Sequence, residues 1–295
     1  MSGRHVCAIV VTWHPDADLL QRLVSAVGPQ VAHLVVVDNG GTRLAARDGV
    51  TLLAQPVNAG LAAGFNTGIA FARSGGFDTV LLLDQDSEPK PGMVQSLIEV
   101  LDGAGNAGTS VAAVGPVFKD AREKHVAPFV RFGFPLNQKI TAEHGPPVPC
   151  DFLISSGSLI PLAVLDAVGE MDTTLFIDNV DLEWSCRARA AGYVLLGVPD
   201  ARMGHHLGDG RSNVMGLGRV VVHGPTRLYY IMRNRVLLYR MPHVPRTWVA
   251  QDLLRLPVKF LIFALLVGPR GRNMRAMLKG LADGIHGRTT ACPPG

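Results

Sequence analysis

Hydrophobic and polar positions follow one another in blocks along the chain, and these blocks predict alternating strands and helices. Continuous apolar runs at residues 6–11, 31–37 and 80–83 are typical of strands that are buried on both faces. Apolar residues at helical spacing in 18–27 and 93–101 predict amphipathic helices. Further strands are predicted at 51–53, 111–117, 152–160 and 193–198, and further helices at 58–73, 161–168, 178–191 and 229–238. This order predicts an α/β fold with a mostly parallel central sheet.

The strand predicted at 80–83 breaks abruptly into Asp84-Gln85-Asp86. Two carboxylates two residues apart point the same way on an extended chain. At the carboxyl end of a strand they face the crevice where open α/β sheets bind ligands. This arrangement favours Mg²⁺ or Mn²⁺ shared with substrate phosphates. An ordinary Asx turn is the alternative.

Glycines at 60, 64 and 68 recur at every fourth position of one predicted helix. They share one helical face and allow a neighbouring backbone to approach closely. The segment does not follow the first strand directly, so it is not the dinucleotide-binding GxGxxG turn. The sequence has no P-loop motif either. Neither of these two common nucleotide-binding motifs is therefore predicted.

Composition is that of a globular protein: 295 residues, 47% hydrophobic and 18% charged. Cys7, Cys150, Cys186 and Cys292 are scattered, without the spacing of a metal finger. This pattern predicts free thiols in a reducing cytoplasm. The first residues are polar and the apolar run at 6–11 is short, so no signal peptide is predicted.

The net charge of +4 conceals an asymmetry between the two parts of the chain. Residues 1–201 contain 13 Lys and Arg against 21 Asp and Glu, whereas residues 202–295 contain 15 against 3. A basic C-terminal part indicates an anionic partner, either phospholipid or nucleic acid. The Arg residues lack an interleaved aromatic pattern, which argues against nucleic acid.

The segment 256–267 is apolar and contains Pro257, and it is too short to span a bilayer. A helix that lies at an anionic membrane surface is predicted from this apolar segment and its basic frame. The alternative is a helix packed on the rest of the chain or on the second subunit of a homodimer. The framing residues are Arg255, Lys259, Arg270, Arg272, Arg275 and Lys279.

Six short elements in order resemble the family 2 inverting glycosyltransferases of GT-A fold. They cover residues 6 to 234, and each is weak by itself. The last acidic element and the Tyr-Tyr-x-x-Arg-Asn segment at 229–234 most resemble bacterial rhamnosyltransferases. The six elements are the strand ends at 9–12 and 36–39, Asn58-x-Gly60 with Asn66-x-Gly68, Asp84-x-Asp86, Ser156-Gly157-Ser158, and Val180-Asp181-x-Glu183-Trp184.

The resemblance implies roles for individual residues. Asp181 would be the general base, and Val180 stands where many relatives have Glu. Arg233 would approach the diphosphate, and an exposed Arg on a surface helix is the alternative. The implied metal ligands are Asp86, Asp84 and His205, the last favoured over His206. The other implied nucleotide-sugar contacts are Thr12, Asp38, Asn58, Gly60, Asn66, Asp84 and Gln85, and the implied acceptor side comprises Gly157, Ser158, Glu183 and Trp184.

The implied activity is metal-dependent, inverting transfer of L-rhamnose from dTDP-L-rhamnose. The acceptor would be a cell-surface polysaccharide or a lipid-linked glycan precursor, at the cytoplasmic membrane face. Residues 1–240 would form the GT-A domain and residues 241–295 a basic helical extension. Alternatives are a UDP-hexose or galactofuranose donor and a non-catalytic membrane scaffold. A sugar nucleotidyltransferase would need a Gly-rich basic loop after the first strand, and residues 12–15 form none.

Overall fold

The computed structural model describes residues 3–40, 49–120, 126–205, 211–214 and 218–289. The strands are β1 Val6–Thr12, β2 His33–Asp38, β3 Val50–Ala54, β4 Thr79–Asp84, β5 Ser87–Pro89, β6 Val111–Asp120, β7 Phe129–Arg131, β8 Gln138–Ile140, β9 Val148–Cys150, β10 Leu159–Pro161, β11 Val194–His205, β12 Arg211–Val214 and β13 Gly218–Val221. The helices are α1 Ala17–Val27, α2 Leu61–Ser74, α3 Met93–Asn106, α4 Leu162–Val168, α5 Val180–Ala190, α6 Pro225–Leu238, α7 Arg246–Leu265 and α8 Arg270–Ile285.

The central sheet has nine strands, eight of them in the order β3-β2-β1-β4-β10-β6-β11-β5, with β9 paired to β11. The pairs among β3, β2, β1 and β4 are parallel, while β10 runs antiparallel to both of its neighbours. The chain passes from β1 to β2 on one side and later returns to β4 on the other side of β1. This reversal of direction creates a crevice at the carboxyl ends of β1 and β4. The predicted α/β class with a mostly parallel sheet is confirmed.

Alternate residues of β1 enter two different core layers, because successive side chains of a strand point to opposite faces. Ala8 and Val10 pack in the layer that contains α1 and α3, whereas Ile9 and Val11 pack in the layer that contains α2. Both faces of the sheet are therefore covered by helices. This explains why the parallel strands are continuously apolar in the sequence.

The glycine face of α2 lies directly against β1. A Cβ atom at Gly64 would lie 2.6 Å from Val11 Cγ1, and one at Gly68 would lie 2.3 Å from Ile9 Cγ2. The predicted close approach at this helix face is confirmed. It sets the distance between α2 and the strand that borders the crevice.

Two predicted elements differ from the structure. The strand predicted at 152–160 forms β-structure as β10 only from Leu159, because the small residues 155–157 before it form a bend and a turn. The strand predicted at 193–198 continues as β11 to His205, past a register shift between Val198 and Arg202. Asp200, where the apolar pattern stops, lies within this shift.

The C-terminal helices pack around α6. Leu228 and Ile231 of α6 share an apolar cluster with Phe263 of α7 and Met277 of α8. The predicted division of the chain at residue 240 falls between α6 and α7 and stays a prediction. None of the helices in the described ranges has the length and apolar character that crossing a bilayer requires.

Candidate active site

Three polar residues meet at the carboxyl edge of the sheet. Thr12 ends β1 and pairs in register with Asp38 at the end of β2, while Val11 pairs with Asp84 at the end of β4. Thr12 and Asp38 are buried, and Asp84 is partly exposed. Predicted nucleotide-sugar contacts from three separate parts of the sequence therefore line one crevice.

The turn after β4 is fixed from two sides. The Asp84 amide donates to Ser156 Oγ at 3.2 Å, and the Oγ atoms of Ser156 and Ser87 are 2.5 Å apart. On the other side, Gln85 Oε1 accepts a hydrogen bond from the Trp13 amide at 2.8 Å. The sequence did not indicate the roles of Ser87 and Ser156, although small residues within an apolar segment are a signal of close approach.

Asn58 and Gly60 form the entry to α2. Gly60 has φ +88°, and its amide donates to Asn58 Oδ1 at 2.9 Å. A Cβ atom at Gly60 would lie 2.6 Å from the carbonyl oxygen of Phe176. That carbonyl also accepts from the Leu61 amide at 2.7 Å, at the N-terminus of α2. In this structure both residues shape the loop around Phe176.

The Asn66 side chain holds a distant segment of backbone. Its Nδ2 donates to the Met171 carbonyl at 2.9 Å, and its Oδ1 accepts from the Met171 amide at 3.0 Å. Both ends of the amide are therefore engaged with the segment that precedes α5. This pairing gives Asn66 a structural role, and its predicted donor contact stays a prediction.

Asp181 lies in the first turn of α5 and is partly buried. The pKa of its carboxyl is raised to about 6, mainly by loss of solvation and to a smaller extent by the negative charges of Asp84 and Asp178. Hydrogen bonds from the backbone of Leu182 and Ser155 act in the opposite direction. The Leu182 amide donates to Asp181 Oδ1 at 2.8 Å. A carboxyl poised in this range can exchange a proton near neutral pH.

The loop before α5 holds an unusual backbone conformation. Phe176, Asp178 and Asn179 have φ angles of +63°, +63° and +62°. Such values are uncommon for residues other than glycine and persist where surrounding contacts impose them. This loop places Asp181, so the contacts that impose its conformation also position the carboxyl.

Helix α6 supplies those contacts. Asn234 Nδ2 lies 2.8 Å from each of the carbonyl oxygens of Leu175, Ile177 and Asp178. The ring of Tyr230 stacks on the ring of Phe176, with centroids 4.8 Å apart and 9° between their planes. The loop is thus tied to a packed helix along its length.

Arg233 contributes to the same anchor from a fully buried position. Its Nη2 donates to the carbonyl of Thr174 at 2.7 Å and to that of Leu175 at 3.1 Å, and its guanidinium lies over the ring of Tyr230. The alternative of an exposed Arg on a surface helix is therefore wrong. Its predicted approach to the diphosphate stays a prediction.

Asp178 faces α6 from the same loop. Arg227 Nε lies 3.1 Å from both carboxylate oxygens of Asp178. A forked guanidinium contact of this kind fixes orientation as well as charge. It holds the side of the loop next to Asp181.

Side chains of the next turn of α5 form hydrogen bonds to the backbone of residues 168–170, which precede the loop. Glu183 is buried, and its carboxylate accepts from Arg187 Nε at 2.8 Å, while Arg187 donates to the carbonyls of Val168 and Glu170. Trp184 Nε1 donates to the Gly169 carbonyl at 2.9 Å. Glu183 and Trp184, two of the four predicted acceptor-side residues, therefore orient the backbone that precedes Asp181, and their predicted acceptor contact stays a prediction.

Gly157 and Ser158 lie between this turn of α5 and the sheet. Gly157 has φ +82°, and a Cβ atom there would lie 2.6 Å from Pro116. Ser158 and Asp181 line one small cavity of about 10 Å³ together with Trp184. The structure thus brings the predicted base close to two of the predicted acceptor-side residues.

Asp84 and Asp86 suit a hard divalent cation by chemistry and position. Both carboxylates are partly exposed at the crevice, and protein sites for Mg²⁺ commonly combine one or two carboxylates with substrate phosphates and water. Among the described residues no three His, Cys, Asp or Glu side chains converge as a ready-made metal site. Two carboxylates are the number of protein ligands that a cation shared with a bound diphosphate would need.

The predicted third ligand is placed by its backbone alone. His205 pairs with Ser87, the residue after Asp86, through the short strand β5, which the sequence did not predict. The side chain of His205 and the whole of His206 lie outside the described part of the chain. Ligation by His205 stays a prediction.

Sequence comparison identifies relatives over nearly the whole chain. Residues 7–160 match the family described as Glycosyl transferase family 2. A protein of Shigella flexneri described as dTDP-rhamnosyl transferase RfbF is 31% identical, in an alignment that covers 97% of each chain.

Comparison with solved structures agrees on the fold. GalNAc-T7 with UDP, GalNAc and Mn²⁺ superposes with a TM-score of 0.59 at 14% identity, over 97% of this chain and 56% of that one. S. aureus TarS 1–349 in complex with UDP-GlcNAc superposes with a TM-score of 0.59 at 13% identity, over 95% of this chain and 80% of that one. The predicted GT-A fold is confirmed.

Proposed function

The chain belongs to glycosyltransferase family 2, and we propose that it transfers L-rhamnose from dTDP-L-rhamnose with inversion at the anomeric carbon. The donor is supported by the 31% identity over 97% of the chain to a protein described as a dTDP-rhamnosyl transferase. The observation that supports the chemistry best is the placement of Asp181, whose raised pKa reflects burial and the nearby charge of Asp84. A proton acceptor beside a nucleotide crevice is what a single displacement requires.

In the proposed reaction the Asp181 carboxylate accepts the proton of the acceptor hydroxyl. As that proton leaves, the hydroxyl oxygen bonds to the anomeric carbon on the face opposite the diphosphate. The bond between the anomeric carbon and the phosphate oxygen breaks, and its electron pair leaves with dTDP. The products are an inverted rhamnoside, dTDP and a proton on Asp181. The anchored loop from 174 to 179 keeps the carboxylate at a fixed place during this transfer.

Asp84 and Asp86 are the residues that would hold Mg²⁺ or Mn²⁺, with His205 as the proposed third ligand. When bound, the cation would supply positive charge for the leaving diphosphate. Thr12 and Asp38 would border the nucleoside, because they lie side by side at the carboxyl ends of β1 and β2. Gln85 would keep the turn closed through its bond to the Trp13 amide.

The proposed acceptor is a cell-surface polysaccharide or a lipid-linked glycan precursor. The proposed location is the cytoplasmic face of the membrane, because a lipid-linked acceptor is presented there. The basic C-terminal part of the chain supports a peripheral position at an anionic surface.

Donor choice is tested by measuring nucleoside diphosphate release from a panel of sugar donors. We expect dTDP-L-rhamnose to give a kcat/KM at least about tenfold above those of UDP-glucose, UDP-galactofuranose and GDP-mannose, since sugar and base contacts both discriminate. Comparable release from a UDP-sugar would reject the rhamnosyl donor and leave the family assignment standing. dTDP-glucose is the matched control, because it separates recognition of the base from recognition of the sugar.

The anchor on α6 gives a second prediction. Asn234→Ala should lower kcat by about tenfold with little change in the donor KM, because the loop that positions Asp181 loses its amide contacts. Steady-state kinetics at saturating acceptor would measure both parameters.

Asn273→Ala is the matched control for this variant. Asn273 is equally buried, and its Nδ2 also donates to backbone carbonyls, those of Phe263 and Val267 at the end of α7. Both variants should lower the thermal midpoint, but Asn273→Ala should keep the wild-type kcat. Equal kcat in the two variants would mean that the anchor has no catalytic consequence.

A further inference from the structure

One side of α7 has a row of exposed apolar side chains from residue 254 to the end of the helix. Leu254, Val258, Leu261 and Leu265 recur at intervals of four, three and four residues, so they share one stripe of the helix. Their exposed fractions lie between 54% and 63%, whereas Phe263 and Ala264 on the opposite side are buried against α6 and α8. Most of this stripe therefore faces solvent in the single chain.

Helix α8, which packs against α7, also has exposed apolar side chains. Met274, Leu278 and Ile285 form a second exposed stripe, spaced by four and seven residues. Together with their exposed neighbours on α7, these residues make up nine of the fourteen large hydrophobic side chains that are exposed in the described ranges. A concentration of this kind marks an interaction surface, whereas single exposed hydrophobics do not. We call the nine exposed apolar side chains between residues 253 and 285 the C-terminal apolar face.

The charges beside this face are of one sign. Arg255, Arg270, Arg272, Arg275 and Lys279 are exposed on the same two helices. Residues 246–289 contain two acids, and both are buried and engaged internally. Asp252 accepts from Arg235 of α6 and from Tyr239, which follows α6, and Asp283 accepts from Tyr229 and Arg288. Lys259, predicted to flank the apolar segment, is instead partly buried, and desolvation lowers its pKa to about 8.

We propose that the C-terminal apolar face docks onto an anionic lipid bilayer, with the apolar stripes at the acyl boundary and the exposed Arg and Lys side chains among the headgroups. An apolar stripe bordered by cations is the pattern of a helix that lies in the membrane interface. A second copy of the chain would bring like charges together across the face, because neither helix offers an exposed acid to its partner. Nucleic acid phosphates would leave the apolar stripe without a contact.

The docking face is rigidly joined to the crevice through α6. A Cβ atom at Gly280 of α8 would lie 2.3 Å from the Tyr229 carbonyl oxygen, so the two helices are in close contact. Tyr229 Oη donates to Asp283 of α8, while the neighbouring Tyr230 stacks on Phe176 of the loop before Asp181. Docking would therefore fix the crevice at one orientation relative to the bilayer.

Vesicle flotation with the full-length protein tests the proposal without donor or acceptor. We expect association with vesicles of phosphatidylcholine and phosphatidylglycerol that is at least about tenfold stronger than with phosphatidylcholine alone and that weakens as salt is added. Replacing Leu254, Val258 and Leu261 together by Gln should lower association at least about tenfold. These side chains are exposed, so the variant should keep its circular dichroism spectrum and thermal midpoint.

The matched control replaces three exposed apolar residues elsewhere, Leu52, Val57 and Leu136, by Gln. This control should bind anionic vesicles as the wild type does. Absence of association at low salt, or equal association of both triple variants, would overturn the proposal. Light scattering measures the oligomeric state of both proteins. A wild-type dimer that becomes a monomer in the α7 variant would show that a second copy of the chain, and not a bilayer, covers this face. Each result is independent of the proposed transferase activity.

Discussion

Replacing Asp181 by Asn should abolish measurable sugar transfer while donor binding stays near that of the wild type. A general base contributes about 10²- to 10⁴-fold to the rate, and the amide cannot accept the proton of the acceptor hydroxyl. We therefore expect kcat to fall about 10³-fold. The shape of the side chain is retained, so titration of dTDP into the protein should give an unchanged affinity. Full activity in this variant would exclude Asp181 as the base.

The pH dependence of the wild type checks the same assignment. Asp181 acts as a base only when ionised, and its pKa is raised to about 6. The rate should consequently be constant above about pH 6 and fall tenfold for each pH unit below it. Neutralisation of Asp84 by a bound cation would slightly lower the pH below which the rate falls. Desolvation, the largest cause of the raised pKa, would persist.

Asp178→Asn tests the electrostatic contribution of a neighbouring carboxylate to the pKa of Asp181. Asn tolerates a positive φ well, so the backbone at this position can be retained. Removal of the Asp178 charge lowers the pKa of Asp181, because that charge disfavours ionisation of its neighbour. We expect the acid limb of the rate profile to move to lower pH, and loss of the ion pair with Arg227 to lower the plateau without changing that direction. A limb that does not move would assign the profile to another group.

The sequence predicted the crevice because the ends of buried parallel strands can be identified from the sequence alone. A buried parallel strand is continuously apolar, so the change to a polar residue at Thr12, Asp38 and Asp84 marks its carboxyl end. Strands that run parallel in one sheet bring those ends to one edge. The convergence of residues more than 70 positions apart therefore follows from the pattern and the fold class.

The supporting contacts around Asp181 could not be predicted in the same way. The resemblance suggested a substrate contact for Arg233, and the structure buries it against backbone carbonyls of a loop 58 residues earlier in the sequence. Hydrogen bonds to backbone carbonyls depend on the path of the loop and leave no pattern of side chains in the sequence. The same limit applied to β5, since three residues are too few to show periodicity.

Replacing Asp86 by Ala should remove most of the activity and the response to added cation. Stabilisation of the leaving diphosphate by a metal is worth several kcal/mol, so we expect a loss of about 10²- to 10³-fold in kcat. Wild-type activity should disappear in EDTA and return with Mn²⁺ or Mg²⁺, whereas the residual activity of the variant should not respond. Calorimetric titration of dTDP should show tighter binding with Mn²⁺ in the wild type and no such gain in the variant.

Glu88→Gln is the matched control, because Glu88 lies two residues after Asp86 in the same segment. Among the described residues its carboxylate does not form a group of three potential metal ligands with Asp84 and Asp86. It should keep the metal response and the gain in dTDP affinity. The contrast between the two variants separates a site built from Asp84 and Asp86 from a general effect of negative charge near the crevice. An Asp86→Ala protein with the wild-type rate in EDTA would reject metal dependence, while the assignment of Asp181 as base would stand, since its proton transfer does not use this turn.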